Sequence, residues 1–255
     1  HGLTPQEIFF YRFLIAYLGI WVISPKRLFT NNWQDELWLV AGGIFGGSLY
    51  FFTENTALGI TQASNVSFII CTAPLLTTIL SLLFYKSEKA SKGLIYGSLL
   101  ALMGVGLIVF NGSFVLKISP IGDLLTLLAA LSWAFYSLII KKMAGRYPTI
   151  FITRKIFFYG VLTILPAFLL HPLHPDTVVL LQPAVLFNLL FLAVLASLIC
   201  YVLWNVVLKQ LGTVRASNYI YLNPLVTMIA SFLILDEKIT LVALGGAACI
   251  VCGVY

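Results

Sequence analysis

Charge is what this sequence has least of. Only 9% of its 255 residues are Asp, Glu, Lys or Arg, against about 25% in a typical soluble domain. A chain so poor in charge cannot cover a water-facing surface. With 60% hydrophobic residues and a mean hydropathy of +1.01, it reads as an integral membrane protein. Long polar stretches are missing too, so no soluble domain is expected. Apolar runs of the roughly 20 residues that one helical crossing needs follow one another almost without pause. The period-two alternation of a membrane β-barrel does not occur.

Other absences exclude chemistry. There is no GxxxxGK[ST] loop to hold nucleotide phosphates, so this chain does not use ATP. Neither GxSxG nor HExxH is present, which disfavours an intramembrane enzyme, and no cofactor or metal is called for. His171 and His174, in HPLHP, lack a second ligand pair and read as loop residues. The four cysteines (Cys71, Cys200, Cys249, Cys252) all fall in apolar runs. The CxxC of GGAACIVCGVY reads as small-residue packing rather than redox or metal chemistry. No cleavable signal peptide is visible. The net charge of +6 comes without a basic stripe or aromatic platform, so no nucleic acid is expected as a partner.

What is present is a series of nine apolar runs: 5–24, 37–58, 63–85, 93–111, 121–141, 150–170, 184–208, 214–235 and 239–255. Alternate loops differ in charge. One side collects Lys26, Arg27, Lys86, Lys89, Lys92, Lys141, Lys142, Arg146, Lys209 and Arg215, and the other has Lys117 and Lys238. Ten against two marks the first side as cytoplasmic. The first run therefore crosses from outside to inside.

The two halves also match. A shift of 150 pairs Asn55 with Asn205, Leu58 with Leu208, Ser67 with Ser217, and Pro74-Leu75 with Pro224-Leu225. A shift of 149 pairs Glu88-Lys89 with Glu237-Lys238, Gly97 with Gly246 and Gly104 with Gly253. Upstream, a shift of 142 pairs Arg12 with Arg154 and Tyr17 with Tyr159. The Glu88 loop is cytoplasmic and the Glu237 loop external, so the copies are inverted. Inverted repeats are the architecture of secondary transporters. The second copy (121–255) has five runs and the first (1–111) only four, so symmetry and charge both predict a further span before His1.

The stretches GDLLTLLAALSWAFYSLIIKK (Gly122 to Lys142), ALGITQASNVSFIICTAPLLTTILSLLFYKSEK and VLKQLGTVRASNYIYLNPLVTMIASFLILDEK resemble helices of EamA-type transporters in the drug/metabolite transporter superfamily. The likeness covers the whole chain. It implies an all-α polytopic membrane protein: a ten-helix fold of two inverted five-helix units, with the first helix missing here. It further implies alternating access in a cell membrane, here a bacterial inner membrane, usually for export of small amino-acid-like metabolites. The alternative is exchange of a phosphorylated solute or nucleotide sugar. Protons are open as a coupling ion, and the oligomeric state is unspecified.

Polar and aromatic residues in apolar runs are the candidate substrate contacts: Asn55, Asn65, Ser67, Trp133, Tyr136, Trp204, Asn205, Asn218, Tyr219, Tyr221 and Asn223. Such groups can hydrogen-bond a small polar solute while rings cover its apolar part; interhelical bonding is the competing role. Arg12, Glu54, Arg154 and Lys155 are the gating or charge candidates, since charge within a span is costly. Arg12 and Glu54 share the outer layer and are expected to pair as a gate. Arg12, Arg154 and Lys155 could instead snorkel to the interface or, facing a cavity, attract a carboxylate or phosphate, which motivates the phosphorylated-solute alternative. Pro74 and Pro224 each remove a helix hydrogen bond and are hinge candidates. Gly42, Gly43, Gly46 and Gly47 correspond to Leu192, Ala193, Ala196 and Ser197, and are expected to serve close packing.

Overall fold

A computed structural model describes residues 3–25, 29–85, 92–110, 119–170, 172–173, 177–235 and 239–254. Lys26, Arg27, Lys86, Glu88, Lys89, Lys117, His171, His174, Glu237 and Lys238, which carried part of the reasoning above, lie outside them. Each expected apolar run falls on helix. Among the described residues, seven helices are long and apolar enough to cross a membrane: Pro5–Ile23, Ala63–Phe84, Lys92–Phe110, Pro120–Ala144, Thr149–Leu169, Pro183–Leu211 and Thr213–Ile234. The protein is thus an all-helical, multi-pass membrane protein.

In chain order, α1 is Pro5–Ile23, α2 Trp33–Gly43, α3 Leu49–Ile60, α4 Ala63–Ile70, α5 Ala73–Phe84, α6 Lys92–Phe110, α7 Pro120–Ala144 and α8 Thr149–Ile164. Two short pieces follow, α9 (Ala167–Leu170) and α10 (Thr177–Leu180). Then come α11 (Pro183–Leu190), α12 (Cys200–Leu211), α13 (Thr213–Asn218), α14 (Asn223–Leu235) and α15 (Leu241–Val254).

Local chemistry explains the ends and breaks. Thr4 and Glu7 form a capping box ahead of α1, with Pro5 at the first turn where its missing N–H costs nothing. Asn32 caps α2 by accepting from the Gln34 N–H, and Asp35 and Glu36 occupy its first turn, favoured there by the helix dipole. Gly212 joins α12 to α13 at φ 79°, a conformation that favours glycine. Pro74 stands in the first turn of α5, after a break at Cys71-Thr72. Pro224 follows a 3₁₀ turn, Tyr219–Leu222, at the start of α14. Beside the first break, the Ile69 carbonyl accepts from both the N–H and the hydroxyl of Thr72, the kind of substitute partner a broken helix needs in lipid.

Among the described residues, two π-helical stretches interrupt otherwise α-helical crossings. One is Ile44–Ser48, joining α2 to α3; the other is Phe191–Ile199, joining α11 to α12. At the shift of 150 the first maps inside the second, so the repeat extends to an irregularity of the backbone.

Contacts divide the chain into two compact units, His1–Phe52 with Phe135–Gln210, and Thr53–Ala134 with Leu211–Tyr255. Each unit takes helices from both sequence halves. In the first unit, α8 packs against α2, and α1 against α8 and residues 183–199. Its centre is aromatic: the buried Phe13 ring meets Phe9 at 4.2 Å, Phe157 at 5.1 Å, Tyr201 at 5.7 Å and Phe51 at 5.8 Å. Such pairs add about 0.5–1.5 kcal/mol each beyond their buried area. Gly42, Gly43 and Gly46 let neighbours close in as expected. A Cβ at Gly46 would lie 2.2 Å from the Tyr136 ring, and one at Gly43 2.9 Å from the Gly160 nitrogen.

In the second unit, α6 lies against α15 through glycines. A Cβ on Gly97 would come 2.4 Å from the Gly253 carbonyl oxygen, and one on Gly253 2.4 Å from that of Gly97. Gly104 and Gly246 face each other likewise, at 2.5 and 2.6 Å. The sequence shift exchanges Gly97 with Gly246 and Gly104 with Gly253, so the contact has the reciprocal form that two inverted copies produce. Cys249 lines it, its Cβ 2.9 Å from the position a Gly104 Cβ would take. This is packing, as the small-residue run suggested.

Candidate functional site

Charges in the first unit are held by protein groups. Lys155 is 5% exposed, and its ammonium pairs with the Glu36 carboxylate. Glu36 also accepts from the Tyr159 hydroxyl, from the Thr30 hydroxyl at 2.7 Å and from the Thr30 N–H at 3.1 Å. One residue earlier, Asp35 pairs with Arg146 at 2.5 Å and accepts from the Tyr147 hydroxyl at 2.9 Å. These acids stand on the first turn of α2, at the end the basic loops assign to the cytoplasm. A buried ammonium without a partner would cost several kcal/mol, and the pairing with Glu36 offsets that cost for Lys155.

Arg154 is 2% exposed and donates to the Ser24 carbonyl, just past the end of α1. It is thus turned inward, where a cation also meets the negative end of the helix dipole. Arg12 donates from Nε to Ser197 Oγ at 2.8 Å and from a terminal nitrogen to the Ala196 carbonyl at 3.4 Å. Its guanidinium carbon lies 4.6 Å from the Phe51 ring centroid, within cation–π range.

Tyr136 and Asn205 come together. The Tyr136 hydroxyl donates to Asn205 Oδ1 at 2.7 Å, and Asn205 Nδ2 donates to Thr153 Oγ1 at 2.9 Å. All three side chains are essentially inaccessible, so in this conformation they tie α7, α8 and α12 to one another. Tyr201 donates to the Gly46 carbonyl at 2.6 Å. Trp204 is half-buried on α12.

The second unit holds the remaining candidates. Glu54 and Asn55 are half-buried on α3, Trp133 is half-buried on α7, and Asn65 is buried on α4. Asn218 accepts from the Ser98 hydroxyl at 3.2 Å. The nearby Tyr221 hydroxyl, although fully buried, has no hydrogen-bond partner in good geometry among the described residues. Its ring packs with Cys71, Ala101, Val105 and Ile250. Ser67, Tyr219 and Asn223 are exposed. Pro74 and Pro224 are buried at the helix breaks described above.

Sequence reasoning missed Asp35, Glu36, Arg146, Tyr147, Thr153, Tyr159 and Tyr201. The signal for the acids was present. Asn32 followed by Asp35 and Glu36 is a helix-start pattern, and a lysine deep in an apolar run calls for an acid.

Comparison with known proteins gives four findings. The family model of EamA-like transporters matches residues 1–110 and 120–255. A protein of Archaeoglobus fulgidus named an uncharacterized transporter is 30% identical, covering 99% of this chain and 87% of its own. One of Escherichia coli (strain K12), named a probable amino-acid metabolite efflux pump, is 22% identical over all of this chain and 86% of its own. Among solved structures, one crystal structure superposes with a TM-score of 0.79 at 18% identity, covering 99% of this chain and 86% of that one. That likeness shows the fold.

Proposed function

The chain belongs to the EamA-like transporter family, and from that premise we propose that it exports a small, amino-acid-like metabolite by alternating access. The observation that carries this reading is the family match across both halves of the chain, joined to the reciprocal glycine contact of α6 and α15. Inverted duplication gives a transporter two related conformations, open to opposite sides. The two repeats, 1–111 and 121–255, are the duplicated parts, and the protein works in a cell membrane with its basic loops facing the cytoplasm. The polar set on the paired helices supplies substrate contacts, the breaks at Pro74 and Pro224 act as hinges, and Arg12 and Glu54 serve as gate charges. It is a transporter rather than an enzyme.

The amino-acid-like class is favoured over a phosphorylated solute because of the charges. A phosphate site was suggested by Arg12, Arg154 and Lys155 together. Lys155 is neutralised by Glu36 and Arg154 is engaged by a backbone carbonyl. Too little free positive charge is left for a dianion.

Purified protein in liposomes, tested with labelled amino acids, their derivatives and nucleotide sugars with and without a pH gradient, decides the matter. Saturable flux of an amino-acid-like solute is expected. Absence of flux for every solute, alongside hydrolysis of any of them, would overturn the transport reading.

A further inference from the structure

The two π-helical stretches mark the same place in the two copies, and each has a backbone carbonyl held by a side chain. In the first it is the Gly46 carbonyl, which accepts from Tyr201 at 2.6 Å. In the second it is the Ala196 carbonyl, which accepts from Arg12 at 3.4 Å. Gly46 and Ala196 are equivalent at the shift of 150. The donors are not. The first-copy equivalent of Tyr201 is Phe51, which has no hydroxyl, and the Arg12 guanidinium lies over the Phe51 ring at 4.6 Å. A π turn changes the pitch of the backbone ladder and is often found at working sites. In an apolar span every carbonyl it re-aims needs a donor from elsewhere.

We propose that Tyr201 and Arg12 are matched positioning residues, each capping the equivalent carbonyl of a π turn. Arg12 takes the role in the second copy because Phe51 cannot. The inference rests on the transport reading for its consequence, which follows from the unequal caps. The tyrosine cap is short and lies among Phe13, Phe157 and Tyr136. The arginine cap is longer, and its guanidinium is shared with Ser197. The turn at 191–199 is therefore the one that changes pitch first in the transport cycle, while the turn at 44–48 stays fixed.

The symmetry supplies the test. Hydrogen exchange of the protein in nanodiscs, read on peptides covering 40–51 and 188–203, needs no substrate. Arg12→Gln should raise exchange about tenfold in 188–203, the effect expected from losing one buried hydrogen bond, and leave 40–51 unchanged. Adding Phe51→Tyr places a hydroxyl at the position of Tyr201 in the other copy. It should restore protection in 188–203. Unchanged exchange in Arg12→Gln, or a double variant no better protected than the single one, would overturn the assignment. Should Arg12→Gln not fold, Tyr201→Phe carries the test. Faster exchange confined to 40–51 supports the cap, and unchanged exchange refutes it. Failure of wild-type flux would count against the transport reading and leave the exchange result standing.

Discussion

Helix α8 lies against α2 in one part of the first unit, and α1 lies against residues 183–199 in another. At shifts of 142 and 150 these are the same helix pair in two copies, and each closes on a π turn. Their chemistry differs. In the first, Lys155 meets Glu36, and Gly43 lets α8 come within backbone contact. In the second, the position of Lys155 is occupied by Phe13, that of Glu36 by Leu186 and that of Gly43 by Ala193. Ions and glycine hold one pair, and aromatic packing with a guanidinium cap holds the other. Duplication has kept the backbone plan, and the side chains have diverged. An inverted protein with two identical pairs would favour neither of its two conformations. Divergence of this kind is a direct way to make the cytoplasmic and outer ends unequal.

The largest expected effect breaks the ionic pair. Glu36→Gln leaves the Lys155 ammonium inside the protein against a neutral amide, which should cost about 3–5 kcal/mol. The equivalent change, Leu186→Ala, removes a side chain that is 41% exposed and should cost no more than about 1 kcal/mol. Thermal unfolding in detergent checks both. Copying the second pair into the first, with Glu36→Leu and Lys155→Phe together, should recover most of the loss, since apolar replacement of a buried pair is often neutral. A double variant as unstable as Glu36→Gln would show that the two pairs are not interchangeable in packing.

Next in size is the glycine contact. Gly43→Ala puts a Cβ 2.5 Å from the Tyr159 Cβ and 2.9 Å from the Gly160 backbone. Overpacking of this kind should cost about 1–3 kcal/mol. The mirror experiment, Ala193→Gly, removes a fully buried methyl from the other pair. It should cost about 0.5–1 kcal/mol through backbone freedom. Equal losses would mean that the two helix pairs approach equally closely, against the geometry.

Much of this was legible in the residues. Apolar runs gave the helices, because length and hydropathy alone decide what can cross a bilayer. Order-preserving matches gave the symmetry, with Gly97 equivalent to Gly246 and Gly104 to Gly253, but not the contacts, which set Gly97 against Gly253 and Gly104 against Gly246. Tyr136 and Asn205 were singled out as polar groups in apolar surroundings, and they do meet. Glu36 escaped because it falls between the apolar runs 5–24 and 37–58, whereas the helix begins at Trp33 and carries both acids inside its first turn. The π turns escaped for a different reason. Nothing in the apolar pattern distinguishes i→i+5 from i→i+4 backbone bonding over so short a stretch. The compact units were also hidden, since α3, α7 and α12 each contribute to both. Such a division depends on tertiary contact rather than on sequence order.

The smallest effect is expected next to the largest, at Asp35. Its side chain is less exposed than its neighbour's, 7% against 18%, but the Arg146 side chain is 54% exposed, against 6% for Lys155. When Asp35→Asn removes the charge, the guanidinium regains water, whereas the Lys155 ammonium could not. The Tyr147 hydroxyl keeps an acceptor in the new amide, and the Asn31 N–H still donates to it at 3.1 Å. The loss should therefore be about 0.5–1 kcal/mol, in the range of exposed ion pairs. It should shrink further as salt rises from 0.05 to about 0.5 M, where screening acts within a few ångströms, while the Glu36→Gln loss stays unchanged. A salt-insensitive loss at Asp35 as large as that at Glu36 would mean that the two acids act as one clamp, and that exposure of one partner does not set the strength of the pair.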